Sequence, residues 1–289
     1  MQIHSEPVIV YRAMNEDDIQ AGMQLCRASG WNQVQRDWKL FLQLSPQGCR
    51  VAVHKNQVVG TVATIRYQER FSWLGMVLVD PAVRGLGIGS QLLEEALTIL
   101  RAEQCVRLDA TPFGYPLYRK LGFVEEYQLR RMECAPLQHS SKVDTHNAQP
   151  MREAELTEIC ALDQLVFGAD RRVLLEWLLA DAPELAWVVR RNKKLAGYAF
   201  GRRGFNFTHA GPLVALDEAV AHQLVTAGLR QNRNEPLILD VPQQQVSWLN
   251  WLAALGFHEQ RPFIRMFRGA HRYPGQAENQ FAMLGPEFG

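Results

Sequence analysis

The sequence has few of the features that mark secreted, metal-binding or membrane proteins. Its 289 residues include five cysteines, an odd number, and none has Cys-x-x-Cys or Cys/His metal spacing. A disulfide framework and a zinc site are therefore not expected, and no metal is predicted. The first residues lack the charged and apolar regions of a signal peptide, and no apolar run is long enough to span a bilayer. We expect a soluble, cytoplasmic protein with no membrane partner.

A strong charge bias and low-complexity tracts are also missing. The formal net charge is +1, and 21% of the residues are charged. Arginine pairs such as Arg130-Arg131 and Arg202-Arg203 are typical of solvated strand ends, so no nucleic-acid partner is expected. The composition is that of a globular protein, and the length suits two domains of about 150 residues each.

The most informative stretch of the chain is a strand, a glycine loop and a helix in succession. An apolar run ends at Asp80-Pro81, and a basic, glycine-rich loop follows from Arg84 to Gly89. Residues 88–100 then place apolar side chains at helical spacing. This order favours phosphate binding, because free amides and the positive end of the helix dipole face the loop.

The glycine spacing decides which kind of phosphate site this is. Gly85, Gly87 and Gly89 do not match Gly-x-Gly-x-x-Gly, and no Lys-Ser/Thr pair follows them as in a Walker loop. A nucleotide-binding oxidoreductase is disfavoured for the same reason. The segment Arg84-x-x-Gly87-x-Gly89 instead resembles the pyrophosphate loop of the GNAT superfamily of acetyl-CoA-dependent N-acetyltransferases. The resemblance implies that the diphosphate is held by amides of Arg84, Gly85, Leu86, Gly87, Ile88, Gly89 and Ser90.

A second segment, from Leu117 to Phe123, resembles the superfamily's Leu-Tyr-x-x-x-Gly-Phe element. In that family the tyrosine, here Tyr118, protonates the CoA sulfur. A phenol with an ordinary pKa of about 10 is protonated at neutral pH and suits this role. The resemblance also places the pantetheine arm beside the main chain of Val77, Leu78 and Val79. Thr111 stands where the superfamily often has asparagine, and one hydrogen bond to the arm is still possible there.

The general base cannot be identified from the sequence. The strand that ends at Val79 carries no carboxylate between Phe71 and Val79. Asp109, on the next strand, is the candidate catalytic residue that we retain, and Glu69 is an alternative. A water chain could also suffice if the pKa of the amine is modestly lowered.

The same order of predicted helices and strands occurs on either side of a polar segment. Residues 135–150 form the candidate linker between a catalytic unit at 1–134 and a second unit at 151–289. Gly122-Phe123 recurs as Gly256-Phe257, and Gly60 recurs as Gly197. We therefore predict an α/β protein with mixed sheets and two tandem GNAT-like domains.

The second unit differs where the chemistry would occur. Its loop at 212–219 has no glycine or arginine after Pro212, and Asp217 and Glu218 would repel a pyrophosphate. Leu252 replaces the tyrosine. This unit is identified as a degenerate acetyltransferase domain, which either shapes the acceptor pocket or serves as a scaffold. The chain resembles a bacterial subgroup of this two-unit type in its segments Trp31-Asn32, Asp37-Trp38, 108–112, 166–171 and 285–287.

The expected function is transfer of acetyl from acetyl-CoA to a primary amine of a small molecule by direct attack, with Tyr118 as general acid. A protein lysine or N-terminus is the alternative acceptor, and a non-catalytic CoA-binding regulatory module is the alternative from another class. A homodimer is possible. Four aromatic residues could line an acceptor pocket or belong to the core. They are Trp31, Trp38, Trp73 and Tyr115.

Overall fold

The computed structural model describes residues 8–136, 148–232 and 235–289. Most of the predicted linker, and the first residues of the chain, lie outside this described part. Within it the chain forms thirteen strands and eight α-helices, joined by short 3₁₀ turns and loops. The predicted α/β class is confirmed.

The first half follows the predicted order of elements. Asn15 caps the first turn by accepting from the Asp17 amide at 3.0 Å, as its side chain predicts. Gly122 ends a short helix with φ 86°, the left-handed conformation expected there. The elements are β1 (Ile9–Ala13), α1 (Ile19–Ala28), α2 (Gln35–Leu44), β2 (Arg50–His54), β3 (Gln57–Tyr67), β4 (Phe71–Val79), α3 (Ile88–Ile99), β5 (Cys105–Ala110), α4 (Tyr115–Lys120) and β6 (Val124–Cys134).

The second half repeats this order. Gly256, with φ 100°, stands where Gly122 stands in the first half, and both precede a phenylalanine. The elements are β7 (Ala148–Pro150), α5 (Leu156–Phe167), α6 (Arg172–Asp181), β8 (Trp187–Arg191), β9 (Lys194–Arg203), β10 (Thr208–Ala215), α7 (Glu218–Gln231), β11 (Leu237–Pro242), α8 (Val246–Ala254), β12 (His258–Gly269) and β13 (Gln280–Ala282).

The two halves share one continuous sheet because they exchange strands at their junction. The strand order is β1-β2-β3-β4-β5-β12-β6-β11-β10-β9-β8-β7, with β13 added to β10. β12 of the second half lies between β5 and β6 of the first, with Ile264 opposite Ala110. β6 in turn pairs with β11, with Leu239 opposite Met132. The boundaries at 134 and 151 stay a prediction from sequence, and the last long strand of each half pairs with the other half.

One hydrophobic core also joins the halves. Trp38 and Trp73 are fully buried in it, so these two aromatics belong to the core. The ring of Phe288 stacks on Phe41 with centroids 4.9 Å apart, although the two residues come from opposite ends of the chain. Burial of a large apolar side chain contributes about 1.5–3 kcal/mol. The end of the second half therefore helps to stabilise the first.

Candidate active site

Strands β4 and β5 diverge and open a cleft in the first half. They are parallel but pair only at Ser72 with Val106 and Trp73 with Arg107. Further along, the register of β4 against β3 shifts, and Met76 adopts φ 56°. Such a bulge bends a strand and leaves backbone groups unpaired. Both strand edges can therefore pair with an extended ligand as an added strand would.

The cleft has a volume of about 890 Å³ and brings the predicted site residues together. Among the described residues, every predicted site residue except Leu86 lines it. Leu86 is 50% exposed. The predicted residues that line the cleft are Val77, Leu78, Val79, Arg84, Gly85, Gly87, Ile88, Gly89, Ser90, Asp109, Thr111 and Tyr118.

The glycine loop presents the start of α3 to the cleft. Gly85 and Gly87 have φ values of 85° and 75°, which other residues rarely adopt. Gly87 is the N-cap of α3, and no side chain of the described residues caps this helix. Asp80 instead caps the preceding 3₁₀ turn, where it accepts from the Ala82 amide at 2.9 Å. The first amides of α3 are therefore available to an anion.

Tyr118 lies on α4 with its ring packed on Phe123. It is 9% exposed, and the two ring centroids are 5.9 Å apart in an edge-to-face arrangement. Burial raises the pKa of the Tyr118 phenol well above its ordinary value. The hydroxyl is therefore protonated throughout the neutral range, as a proton donor requires.

Thr111 and Asp109 are both engaged with neighbouring residues. The Thr111 hydroxyl accepts from the Gly114 amide at 3.2 Å and so shapes the turn before α4. Asp109 accepts two hydrogen bonds from Arg265 of β12, at 2.8 and 2.9 Å. Burial raises the pKa of Asp109, and the Arg265 charge opposes this shift. Asp109 fixes β12 beside β5 in this way, while its role as a base stays a prediction.

The second half contributes to the same cleft, and sequence reasoning did not find these residues. Arg261 and Phe263 come from β12, and Pro286 and Glu287 come from the final segment, residues 283–289. The resemblance of residues 285–287 to a bacterial subgroup was the one available signal. Their position depends on the strand exchange, which no local pattern encodes.

The final segment is buried and anchored by hydrogen bonds to the first half. The Tyr67 hydroxyl donates to the Phe288 carbonyl at 2.7 Å, and the Trp73 indole donates to the Pro286 carbonyl at 2.9 Å. A Cβ placed on Gly75 would lie 2.9 Å from the Cα of Glu287. Glycine at position 75 therefore lets Glu287 sit directly beside the bulge of β4.

The corresponding region of the second half is filled by the chain itself. β10 and β11 also diverge after pairing only at Thr208 with Leu237 and His209 with Ile238. β13 occupies part of this gap, with Leu213 opposite Ala282. At the start of α7, the Asp217 carboxylate accepts from the Val220 amide at 3.0 Å and pairs with Arg191. Both the strand gap and the helix terminus are therefore already occupied.

Comparison with known proteins gives the same assignment for both halves. Residues 14–123 match the model of the acetyltransferase (GNAT) family, and residues 159–282 match that of an acetyltransferase (GNAT) domain. An uncharacterized N-acetyltransferase, YitH of Bacillus subtilis, is 26% identical over 96% of this chain and 97% of its own. Holothin acyltransferase of a Pseudoalteromonas species is 25% identical over 84% of this chain and 82% of its own length.

Solved structures show the same tandem fold. A putative acetyltransferase from Pyrococcus horikoshii superposes over 100% of both chains with a TM-score of 0.79 and 22% identity. A tandem GNAT protein from the clavulanic acid biosynthesis pathway covers 90% of this chain and 98% of its own, with a TM-score of 0.65 and 14% identity. The chain belongs to the GNAT acetyltransferases and carries two GNAT units in tandem. It is an acyltransferase, of a family that uses acetyl-CoA.

Two further properties of the described residues concern the requirements of a metal site and of a membrane-spanning helix. They contain no group of three or more His, Cys, Asp or Glu side chains placed to hold a metal ion. None of the described helices combines the length and the apolar character needed to cross a membrane.

Proposed function

We propose that the first half transfers acetyl from acetyl-CoA to a primary amine of a small molecule by direct attack. The observation that carries this proposal is the contrast between the two units. In the first, the strand gap, the uncapped helix and Tyr118 share one open cleft, whereas the chain fills the equivalent places in the second. Acetyl-CoA bound in this cleft would supply an activated thioester.

The residues of the cleft divide into those that bind and those that move protons. Amides from Arg84 to Ser90 would hold the diphosphate, assisted by the dipole of α3. Main-chain groups of Val77 and the amide of Val79 would pair with the pantetheine arm, and an amide there would face the developing oxyanion. The Val79 carbonyl accepts a hydrogen bond from Arg84 at 3.3 Å. Tyr118 would donate its phenolic proton to the departing sulfur.

The shape of the cleft supports a small acceptor over a protein. Its end near the β4 bulge is lined by Arg261 and Phe263 of β12 and by the final segment. Glu287 in that segment is 2% exposed. A protein lysine would need an open groove at this point, and a buried final segment leaves less room for a peptide than for a small molecule.

The test is calorimetric titration with acetyl-CoA, followed by thiol detection with panels of small primary amines and of lysine-containing and N-terminal peptides. We expect one binding site per chain and CoA release with small amines. CoA release with peptides but not with small amines would mean that the acceptor is a protein lysine or N-terminus and not a small molecule. Acetyl-CoA binding without turnover on any acceptor would support the regulatory alternative, and no binding would reject the proposal.

A further inference from the structure

The charged side chains at the acceptor end of the cleft are unevenly paired. Asp109, Arg131, Arg261 and Glu287 all line it. Asp109 is held by Arg265, and Arg131 makes two hydrogen bonds of 2.7 Å to Asp240. In each of these two pairs, the carboxylate and the guanidinium satisfy each other's hydrogen bonds. The remaining two side chains, Arg261 and Glu287, are the ones left with unused hydrogen-bonding capacity.

Arg261 is a half-buried cation that forms no direct ion pair within the described part of the chain. Its Nε is buried and has no hydrogen-bond partner there, and no described carboxylate forms an ion pair with it. Its guanidinium lies over the Phe263 ring, 5.3 Å from the centroid. Burial, together with the nearby charge of Arg131, lowers the pKa of Arg261 to about 10, and the charges of Asp240 and Glu287 oppose this shift only in part. Arg261 therefore stays protonated at neutral pH. A buried cation of this kind is stabilised by an anion.

Glu287 is a fully buried carboxylate that lines the cleft and has one oxygen without a hydrogen bond of ordinary geometry. Its Oε1 accepts from Arg202, and Oε2 is enclosed without a hydrogen bond of ordinary geometry, although the Gln33 side chain lies close enough to the carboxylate to lower its pKa. Burial alone would raise the pKa of Glu287, but the charge of Arg202 and smaller contributions, among them a hydrogen bond from Gln33, outweigh it, and the pKa lies below its ordinary value. Such a carboxylate stays ionised and binds an ammonium group in preference to removing its proton. Gly75 places it beside the β4 bulge, near the predicted position of the acetyl group.

We propose that Glu287 and Arg261 form a two-point acceptor site for a small primary amine that also carries an oxyanionic group, a carboxylate or a phosphate. The ammonium group would face the Glu287 carboxylate, and the oxyanion would pair with the guanidinium of Arg261. One proton of the ammonium passes to water before the neutral nitrogen attacks the thioester carbon. The second is lost to water as the amide forms and the C–S bond breaks, while Tyr118 protonates the sulfur and recovers its proton from water. Both side chains line the same cleft, so one small molecule can reach both. A planar guanidinium binds either oxyanion through two parallel hydrogen bonds. This inference rests on the proposed function and specifies its acceptor class.

The test compares amines that differ only in the anionic group. Amino acids are paired with their amides, and phosphoethanolamine is paired with ethanolamine, with CoA release as the measurement. We expect kcat/KM to be about 10- to 100-fold higher for the anionic member of at least one pair, as for a charge-assisted hydrogen bond. The pair that shows the preference distinguishes carboxylate from phosphate.

Variants then assign that preference to residues. In Arg261→Gln, kcat/KM for the anionic member of the pair should fall by about 10- to 100-fold, while kcat/KM for the neutral member stays within threefold of wild type. Arg261→Lys should restore part of the preference. Arg268→Gln, an equal change of charge at an exposed position of the same strand, is the control and should behave as wild type. Glu287→Gln should raise KM for both members, because it acts on the ammonium group.

A second measurement does not depend on finding the natural acceptor. With CoA at saturation, inorganic phosphate or acetate at tens of millimolar should raise the melting temperature of the wild type but not of Arg261→Gln. Equal use of both members of every pair, an equal loss for both in Arg261→Gln, or no anion-dependent stabilisation would each overturn this inference. Failure of acetyl-CoA to bind would instead reject the proposed function itself.

Discussion

The two halves of the chain have the same order of elements, and in both the central strands diverge and leave a gap. The gap is open in the first half and filled by the chain in the second. Between β4 and β5 the gap is an open cleft, and α3 begins without a side-chain cap among the described residues. Between β10 and β11 the gap receives β13, and Asp217 caps α7. The same gap between strands can therefore stay open or be closed by the chain's own residues, which then satisfy its backbone groups.

β13 and the final segment that follows it connect the filled gap of the second half with the open cleft of the first. After β13 fills the gap of the second half, the chain continues into the final segment and places Glu287 in the cleft of the first. The second unit therefore contributes to the first half's site through β12 and this segment, beyond any scaffold role. The sequence left both possibilities open.

The largest effect is expected from closing the open site with charge. Gly87→Glu should weaken acetyl-CoA binding by at least about 100-fold, because like charges placed together cost several kcal/mol. Gly87 also has φ 75°, so the substitution strains the loop. Calorimetric titration measures the loss.

The matched control is Gly256→Glu. Gly256 has φ 100° and, like Gly87, has open space where a Cβ would stand, but it lies in the second half away from the cleft-lining residues described. Its acetyl-CoA affinity should equal that of the wild type. Equal weakening in both variants would mean that backbone strain, and not the loop's anion site, explains the result.

Removal of the Tyr118 hydroxyl should lower turnover and leave binding intact. In Tyr118→Phe, kcat should fall by about 100-fold, a typical contribution of a general acid, with acetyl-CoA affinity within threefold of wild type. Since burial raises the pKa of Tyr118, the wild type should show no loss of kcat from this group up to about pH 10. Stopped-flow or steady-state thiol release across pH measures both effects.

Tyr115→Phe is the control, because Tyr115 lies on the same helix but its hydroxyl pairs with Glu125. It should retain kcat. An unaltered kcat in Tyr118→Phe at every pH would remove the general-acid assignment while leaving the binding site in place.

A smaller effect is expected from His209, which stands at the divergence point of the second half as Trp73 does in the first. Burial lowers the pKa of His209 to about 4. The unfolded chain takes up this proton below about pH 6.5, so stability is full above that pH and falls as the pH drops from 6.5 to 4. The loss attributable to this group is about 3 kcal/mol.

Denaturant unfolding at several pH values checks this expectation. His209→Gln should reduce the pH dependence of the unfolding free energy between pH 6.5 and 4, whatever its effect on absolute stability. His54→Gln, at the first hairpin, provides the reference substitution. A pH slope in His209→Gln as steep as that of the wild type would contradict the assignment.

The smallest effect is expected from uncapping the second unit. Asp217→Ala removes the bond to the Val220 amide and should cost about 1 kcal/mol, lowering the melting temperature by about 2–4 °C. Acetyl-CoA stoichiometry should stay at one, because β13 still fills the strand gap. Asp217→Asn, which can still cap the helix, should recover most of the stability. A second binding site in either variant would show that the acidic cap alone closes the second unit.

The sequence by itself determined the parts of this protein that depend on neighbours along the chain. The glycine loop, its helix, the Tyr118 element and the turn glycines could be predicted because φ preference, capping and helical spacing act within a few residues. The acidic start of α7 likewise predicted a closed second site from local residues alone.

Only the tertiary structure decided which residues complete the cleft. β12 reaches β5 across more than 150 positions, as the pair Arg265 and Asp109 shows, and Glu287 reaches Gly75 across a longer separation. These contacts depend on strand exchange and on burial of the final segment, which are set by the summed packing of both halves. Local patterns carry no information about such pairings, so Arg261 and Glu287 become visible as site residues only once the chain is folded.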